Sequence, residues 1–428
     1  MLGFNQTLVI EVSRVNVTAP KSISLFQDDL PPSKPKLQVL SKASYLTFEG
    51  AQKLFDENNL QQLSSTLEGQ RYLLLKSMAR PEYLKQLALF HQLNSDAKTK
   101  TLLMQDIFES NKISNEQIVH EIQIIYQRER ASRLVGEEAL LDELAQITSL
   151  SWGGLYQNTL EQAILDLYVK KTRSLQKLKS QIVGEMYSRM EAFAISSWYN
   201  HQAGIIIEDL FNDHPNVLPA VGKMDKIDFF INETPFDLKI TYLPENYIKQ
   251  KRKALNLPSE LSVLKKSARQ NSLPLPPLPD AALMEYLWKK LSSVGTPEVI
   301  NILEKIKQVR ELILNECSQN PEELICWLYE NQGFRRFDSS NRIYLVLYNP
   351  DCFMESWRIK SQVQIVKSAV HSYLNSATSN PGKDIEFEWN GEKHSCLADL
   401  IIVKHSLAPL NISPDWQLFA GEDSSRQD

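Results

Sequence analysis

The sequence predicts an α/β fold, a mixed sheet flanked by helices, preceded by a mostly helical N-terminal domain. The sheet is predicted by paired β-rich runs at 226–231 and 236–243 and by the apolar run Arg342–Tyr348. Helical patterns separate these runs, and two more strand patterns follow at 384–389 and 396–403. This order of elements suits a sheet that is covered by helices on its faces.

The first third of the chain is predicted to be a domain of its own. Residues 47–145 repeat apolar side chains at spacings of three and four, which is typical of helices. A Val- and Ile-rich strand pattern precedes them at 6–17, and paired glycines at 153–154 mark a break. We therefore divide the chain into an N-terminal domain, 1–150, and a second domain, 151–428.

Composition indicates an ordinary globular protein. Of the 428 residues, 43% are hydrophobic and 23% are charged, and the net charge of −5 argues against a protein that coats nucleic acid nonspecifically. No apolar run is long enough for a membrane span, and the N-terminus lacks a secretion signal, so we expect an intracellular protein. The four cysteines include no CxxC pair, which predicts buried free thiols rather than a zinc site or a disulfide framework.

The residues with chemical potential lie between Lys226 and Leu243. Two β-rich runs flank the turn-forming residues 232–235, which predicts a β-hairpin. If all four residues form the loop, Asp228 lies opposite Lys239. Since side chains alternate between the faces of a strand, Asp228, Asp237 and Lys239 then share one face. A loop that differs by one residue would place Asp228 on the other face.

Charged groups on one face of apolar strands need compensation. Two neighbouring carboxylates raise each other's pKa unless a cation lies between them. Mg²⁺ prefers such hard oxygen ligands, and it binds one or two carboxylates together with water and substrate phosphate. Lys239 would add positive charge beside the reacting phosphate. The alternative is an exposed hairpin in which Asp228 and Lys239 form a salt bridge.

Asp228, followed nine residues later by Asp237-Leu238-Lys239 on the adjacent predicted strand, resembles the signature of the PD-(D/E)xK nuclease superfamily. That family often has a Glu on the helix before the hairpin, and Glu208 lies 20 residues before Asp228. The resemblance implies that Asp228 and Asp237 bind the metal, that Lys239 is catalytic, and that Glu208 is a further ligand or orienting acid. Ile227 replaces the usual proline.

Glu208 has a second interpretation, because it is also compatible with a solvated position on the helix. Helical spacing places Ser197, His201 and Gly204 on the same face as Glu208. This small, polar face suits close approach of a phosphate backbone. His201 is more simply interpreted as a surface histidine.

The resemblance covers about residues 158–405 and implies that the second domain, 151–428, is a catalytic domain with a restriction-endonuclease-like core. The candidate roles of the N-terminal domain, 1–150, are then DNA recognition and dimerisation. By that resemblance we expect a type II restriction enzyme that cleaves double-stranded DNA with Mg²⁺, acts as a homodimer in the bacterial cytoplasm and has a companion DNA methyltransferase. Two alternatives remain open. One is a structure-directed or repair nuclease of the same superfamily, and the other is a non-catalytic DNA-binding protein that retains a nuclease-like core.

A basic segment follows the predicted catalytic strand. Residues 245–269 contain seven basic residues and only two acidic ones, in a chain that is acidic overall. This local excess of positive charge favours contact with DNA phosphates, and a solvated basic helix is the alternative. The predicted DNA-binding residues are Lys249, Lys251, Arg252, Lys253, Lys265, Lys266 and Arg269. Arg335, Arg336 and Arg342 form a second, weaker basic cluster.

Overall fold

The computed structural model of the chain confirms the α/β class and describes most of the sequence. The described residues are 9–12, 45–95, 98–150, 160–222, 224, 226–331, 338–376 and 381–408. The predicted break at 153–154 and the basic residues Arg335 and Arg336 lie outside them.

The N-terminal helices form a compact layer with its own apolar core. Thr47, Thr66, Thr99 and Ser114 cap four of them, each accepting a backbone N–H at the start of its helix, as short hydroxyl side chains do. The helices are α1 (Phe48–Asp56), α2 (Leu60–Ser64), α3 (Leu67–Ser77), α4 (Pro81–Phe90), α5 (Lys100–Glu109), α6 (Asn115–Leu134) and α7 (Glu137–Ala145).

The remaining helices surround a sheet. α8 (Leu160–Ile164) and α9 (Leu175–Gln181) each continue into a π-helical turn, at Leu165–Val169 and Ile182–Met186, and the second turn leads into α10. The later helices are α10 (Tyr187–Asn212), α11 (Glu245–Ala254), α12 (Glu260–Gln270), α13 (Asp280–Val294), α14 (Pro297–Gln319), α15 (Pro321–Glu330) and α16 (Val363–Ser376). A 3₁₀ helix, Phe353–Ser361, precedes α16.

The described strands form one mixed sheet in the order β1-β7-β5-β4-β3-β2, with β6 also paired to β7. β4, β5 and β7 run parallel to one another, and the remaining neighbours are antiparallel. The strands are β1 (Val9–Val12), β2 (Val217–Pro219), β3 (Phe229–Ile231), β4 (Thr234–Tyr242), β5 (Arg342–Tyr348), β6 (Lys383–Trp389) and β7 (Glu392–Lys404).

Helices cover both faces of the parallel strands, so β5 is buried along its whole length. One face carries Ile343, Leu345 and Leu347, which belong to the same apolar cluster as residues of α10 and α16. The other face carries Tyr344 and Val346, in the cluster formed with α11 to α15. Because both faces of β5 pack against helices, its residues form a continuous apolar run in the sequence.

The predicted hairpin is confirmed, but its loop is two residues long rather than four. Asn232 and Glu233 form the turn with φ of 48° and 66°, and Ile231 pairs with Thr234. Positive φ at both central positions is typical of the two-residue turns that join antiparallel strands. The predicted pairing of Asp228 with Lys239 is therefore wrong. Because the register moves by two residues, the alternation of faces is retained.

The division of the chain at residue 150 is only partly matched by the packing. β1, predicted at 6–17 and observed at Val9–Val12, pairs with β7 and so belongs to the sheet. In the other direction, Val221, Ile227 and Phe230 join the core of the N-terminal helices. The link is close, since Gly222 N–H donates to the Ser77 carbonyl at 2.5 Å.

Asn341 joins the parallel strands just before β5 begins. This buried side chain donates to the Pro235 carbonyl at 3.1 Å and accepts the Leu397 N–H at 2.9 Å. It thereby ties β4 to β7 across the start of β5.

We predict that Asn341→Ala lowers the free energy of unfolding by about 2 kcal/mol, because it leaves a buried carbonyl and a buried N–H without these partners. Urea unfolding measures the effect. Asn331→Ala is the control, since Asn331 is exposed and, among the residues that the structure describes, its side chain bonds only the Trp327 carbonyl of its own helix end. Equal midpoints for the two variants would contradict the role of Asn341.

Candidate functional site

Asp228 lies directly before β3 and is fixed against β4. Its backbone N–H donates to the Phe236 carbonyl at 2.9 Å, and its Oδ2 accepts the Leu238 N–H at 2.7 Å. Extending the hairpin register by one pair places Asp228 opposite Asp237. The hairpin therefore brings the two predicted acids together by a shorter turn than the sequence suggested.

Asp237 is buried on β4, with 6% of its surface exposed, and its carboxylate is bound by two cations. Lys239 Nζ lies 2.8 Å from Oδ1 and 2.7 Å from Oδ2. Arg342 Nε lies 3.3 Å from Oδ2. The two cations differ in freedom, since the Lys239 side chain is 47% exposed and that of Arg342 only 3%.

Arg342 is a residue of this site that the sequence placed elsewhere. The sequence assigns it to a weaker basic cluster, yet its side chain is buried against Asp237 and borders only the cleft beside Lys239. The parallel register pairs Arg342 with Asp237, and its guanidinium also contacts Asp338 at 2.7 Å and the Tyr344 hydroxyl at 3.3 Å. Its position depends on pairing between strands about a hundred residues apart, which no local pattern signals.

Glu208 belongs to the same electrostatic unit. Burial, followed by the charges of Asp228 and Asp209, raises the pKa of Glu208 to about 8. Burial and the charge of Asp237 raise the pKa of Asp228 to about 6, although the Leu238 N–H and Lys239 oppose that shift. Burial first, and then repulsion between neighbouring carboxylates, therefore oppose the ionisation of Glu208 and Asp228.

The N-terminal helices hold α10 in place beside Glu208. Arg133 of α6 donates to Asp209 at 2.7 and 2.8 Å, and the Tyr126 hydroxyl donates to Asp213 at 2.7 Å. Arg130 bonds Asp213 as well, at 3.1 Å. These bonds fix the last turns of α10, and with them the position of Glu208.

The rest of the predicted polar face of α10 is open. A side chain added at Gly204 would meet nothing within 4 Å, and His201 is exposed, as expected of a surface histidine. Asn200 accepts a hydrogen bond at 2.6 Å from Lys360, whose pKa burial lowers to about 8. The sequence did not single out Lys360, because it lies on the 3₁₀ helix, far from the hairpin in the chain.

The basic segment divides into exposed and structural residues. Lys249, Lys253, Lys266 and Arg269 are exposed on α11 and α12. Arg252 is instead buried and donates to the Pro258 carbonyl at 2.9 Å, so its predicted contact with phosphate is replaced by a structural role.

Two further predicted contacts involve residues that already pair with acids. Lys251 lies 2.8 Å from Glu316 and 2.6 Å from Glu323, and Lys265 lies 3.8 Å from Asp280. The surface available to DNA is therefore smaller than the seven residues predicted.

A cleft of about 520 Å³ opens beside Lys239 on the face of the sheet that carries Asp237. Thr241, Asn331, Arg342 and Tyr344 are among its lining residues. A larger cavity, about 840 Å³, lies along α14 and is lined by neither Lys239 nor Arg342. The smaller cleft is the one that chemistry at Lys239 would use.

No three His, Cys, Asp or Glu side chains within the described residues are arranged as a metal site. The donors present are carboxylate oxygens, which suit Mg²⁺, and Mg²⁺ needs only one or two carboxylates when water and phosphate complete its shell. Asp228 and Asp237 meet that minimum. In the same part of the chain, no helix is both long and apolar enough to cross a membrane.

Comparison with protein-family models, with curated proteins and with solved structures found no match to this chain.

We predict that Glu208→Gln stabilises the protein increasingly as pH rises. A carboxyl has a pKa of about 4.3 when unfolded, so between that value and about 8 the folded state resists ionisation of Glu208 and loses stability. Removing the charge recovers up to about 4 kcal/mol near pH 8 and almost nothing near pH 4.

Urea unfolding at both pH values measures the difference. Glu298→Gln is the matched control, because Glu298 is an exposed acid in the first turn of α14 and should show no such trend. A stabilisation by Glu208→Gln that does not depend on pH would contradict the proposed electrostatic environment.

Proposed function

We propose that this chain is a Mg²⁺-dependent endonuclease that hydrolyses phosphodiester bonds in double-stranded DNA. The observation that carries the proposal is the buried Asp237 between Lys239 and Arg342, with Asp228 fixed opposite it by the hairpin. The order of α10, hairpin, β5 and α16 around the mixed sheet is consistent with a restriction-endonuclease-like core.

Mg²⁺ at Asp228 and Asp237 would supply a Lewis acid for the scissile phosphate and a water of lowered pKa. The protein's own residues do the positioning. Arg342 holds Asp237 at Oδ2, while the flexible and half-exposed Lys239 can leave Asp237 and donate to a phosphate oxygen in the cleft. Glu208 serves as an orienting acid or a further ligand beside Asp228.

The proposal has three further parts that rest only on the resemblance to PD-(D/E)xK nucleases. They are sequence-specific cleavage as by a type II restriction enzyme, a homodimer and a companion methyltransferase. Incubating plasmid DNA with the protein and Mg²⁺, and then with EDTA, separates the alternatives. Discrete bands support a restriction enzyme, and a smear supports a nuclease without sequence preference. Intact DNA in both samples refutes the nuclease and leaves a DNA-binding protein.

We predict that Asp237→Ala and Lys239→Ala each abolish cleavage, because one removes a proposed metal ligand and the other the cation nearest the phosphate. Folding and DNA binding remain largely intact, as measured by circular dichroism and gel shift, because Arg342 still pairs with Asp338 in the first variant and with Asp237 in the second. Lys98→Ala is the control, since it breaks a comparable Lys–Asp pair, with Asp106, in the N-terminal helices. Wild-type cleavage by either site variant would show that the site is misassigned.

We predict that replacing Lys249, Lys253, Lys266 and Arg269 together by Ala weakens DNA binding without loss of the fold. The plot of log K against log salt falls with increasing salt, and each lost phosphate contact makes it less steep by about 0.9. The loss of affinity is therefore largest at low salt. Filter binding over a range of NaCl concentrations measures the slope. The control replaces the exposed Lys85 and Lys112 of the N-terminal part. An unchanged slope would place the DNA on another surface.

A further inference from the structure

Residues 160–195 form a helical hairpin, here called the α8–α10 hairpin, that lacks a core of its own. The π turn Leu165–Val169 contacts α9, and Thr172, in the connection between them, donates from its hydroxyl to Gln181 at 2.7 Å. In the whole segment only Tyr168 and Arg189 are buried. Two helices with so little buried surface are marginal unless another surface covers them.

The hairpin instead exposes large apolar side chains to solvent. Eight of them have between 40% and 79% of their surface exposed, namely Leu165, Val169, Leu175, Ile182, Val183, Tyr187, Met190 and Ile195. Val183, Tyr187 and Met190 follow one another at spacings of four and three, so they form a stripe along the helix.

Charge along the hairpin is also uneven. The tip is basic, with Lys170, Lys171, Arg173, Lys177 and Lys179 within ten residues, although Lys170 also pairs with Asp166 within the chain. The open end is acidic, with Glu161, Glu185 and Glu191, although Glu185 also pairs with Arg189 within the chain. Two such hairpins side by side in opposite directions would place each basic tip against an acidic end. The surface is thus complementary to itself, as a two-fold interface requires.

We propose that the α8–α10 hairpin is the contact surface for a second copy of this chain, with the two hairpins packed antiparallel as a four-helix arrangement. The proposal does not depend on the nuclease function. If both hold, α10 connects the interface to the site, because Tyr187 and Glu208 lie on one helix about 30 Å apart. The two sites of a dimer would then be held at a fixed separation, as cutting both strands of a duplex requires.

Sedimentation velocity of the full chain without DNA tests the contact. We expect the wild type to sediment as a dimer at micromolar concentration and Val183→Glu/Tyr187→Glu as a monomer of 49.1 kDa, with the dissociation constant raised at least about 100-fold. Leu89→Glu/Phe90→Glu is the matched control, since these residues of α4 are 64% and 81% exposed, and it should remain a dimer.

Charge reversal tests the antiparallel arrangement. Lys177→Glu/Lys179→Glu and Glu161→Lys/Glu191→Lys should each weaken self-association, and an equimolar mixture of the two should form a heterodimer. A wild-type monomer at all concentrations would overturn the proposal, and so would a Val183→Glu/Tyr187→Glu variant that dimerises normally. If those substitutions reduced DNA binding without changing the mass, the hairpin would be a nucleic-acid surface and the proposal would fail.

Discussion

The carboxylate of Asp237 is the point on which the site depends. It is buried at the start of β4, next to a second acid, and only its two cations make that position tolerable, because an unpaired charge in the interior is strongly destabilising. Arg342 reaches it through the parallel pairing of β4 with β5, and Asp228 reaches it through the hairpin. The sheet therefore sets the geometry of the charges, and it buries Asp237 and Arg342 while leaving Lys239 half exposed at the cleft.

The hairpin and its three charged residues were predictable because strand periodicity and turn composition are local signals. The loop length was not, since a Glu at positive φ, as in Glu233, is uncommon and the sequence favoured a longer turn. The prediction that Asp228 shares a face with Asp237 and Lys239 remained correct only because the error in the strand register was two residues, an even number. Arg342 and Lys360 were missed for a different reason: their roles arise from contacts across about a hundred residues or more, which periodicity cannot report.

The N-terminal helices contribute to the site without entering it. α6 binds the end of α10 through Arg130 and Arg133, and the segment around Gly222 ties these helices to the strands next to Asp228. A division into a helical domain and a catalytic domain therefore describes the sequence better than the packing. Both layers are needed to place Glu208 beside Asp228, and the mutual repulsion of these acids is what a divalent cation would relieve.

Binding of Mg²⁺ to these acids, and the protons that binding releases, can be measured by calorimetric titration of the wild-type protein. The titration is done near neutral pH in two buffers of different ionisation enthalpy. Cation binding should be saturable and should release protons, because Glu208, with a pKa of about 8, is largely protonated before the ion arrives. Asp228→Asn should bind the ion more weakly. Two results would contradict a cation site at these carboxylates. One is that Mg²⁺ does not bind, and the other is that it binds without releasing protons and binds Asp228→Asn as tightly as the wild type.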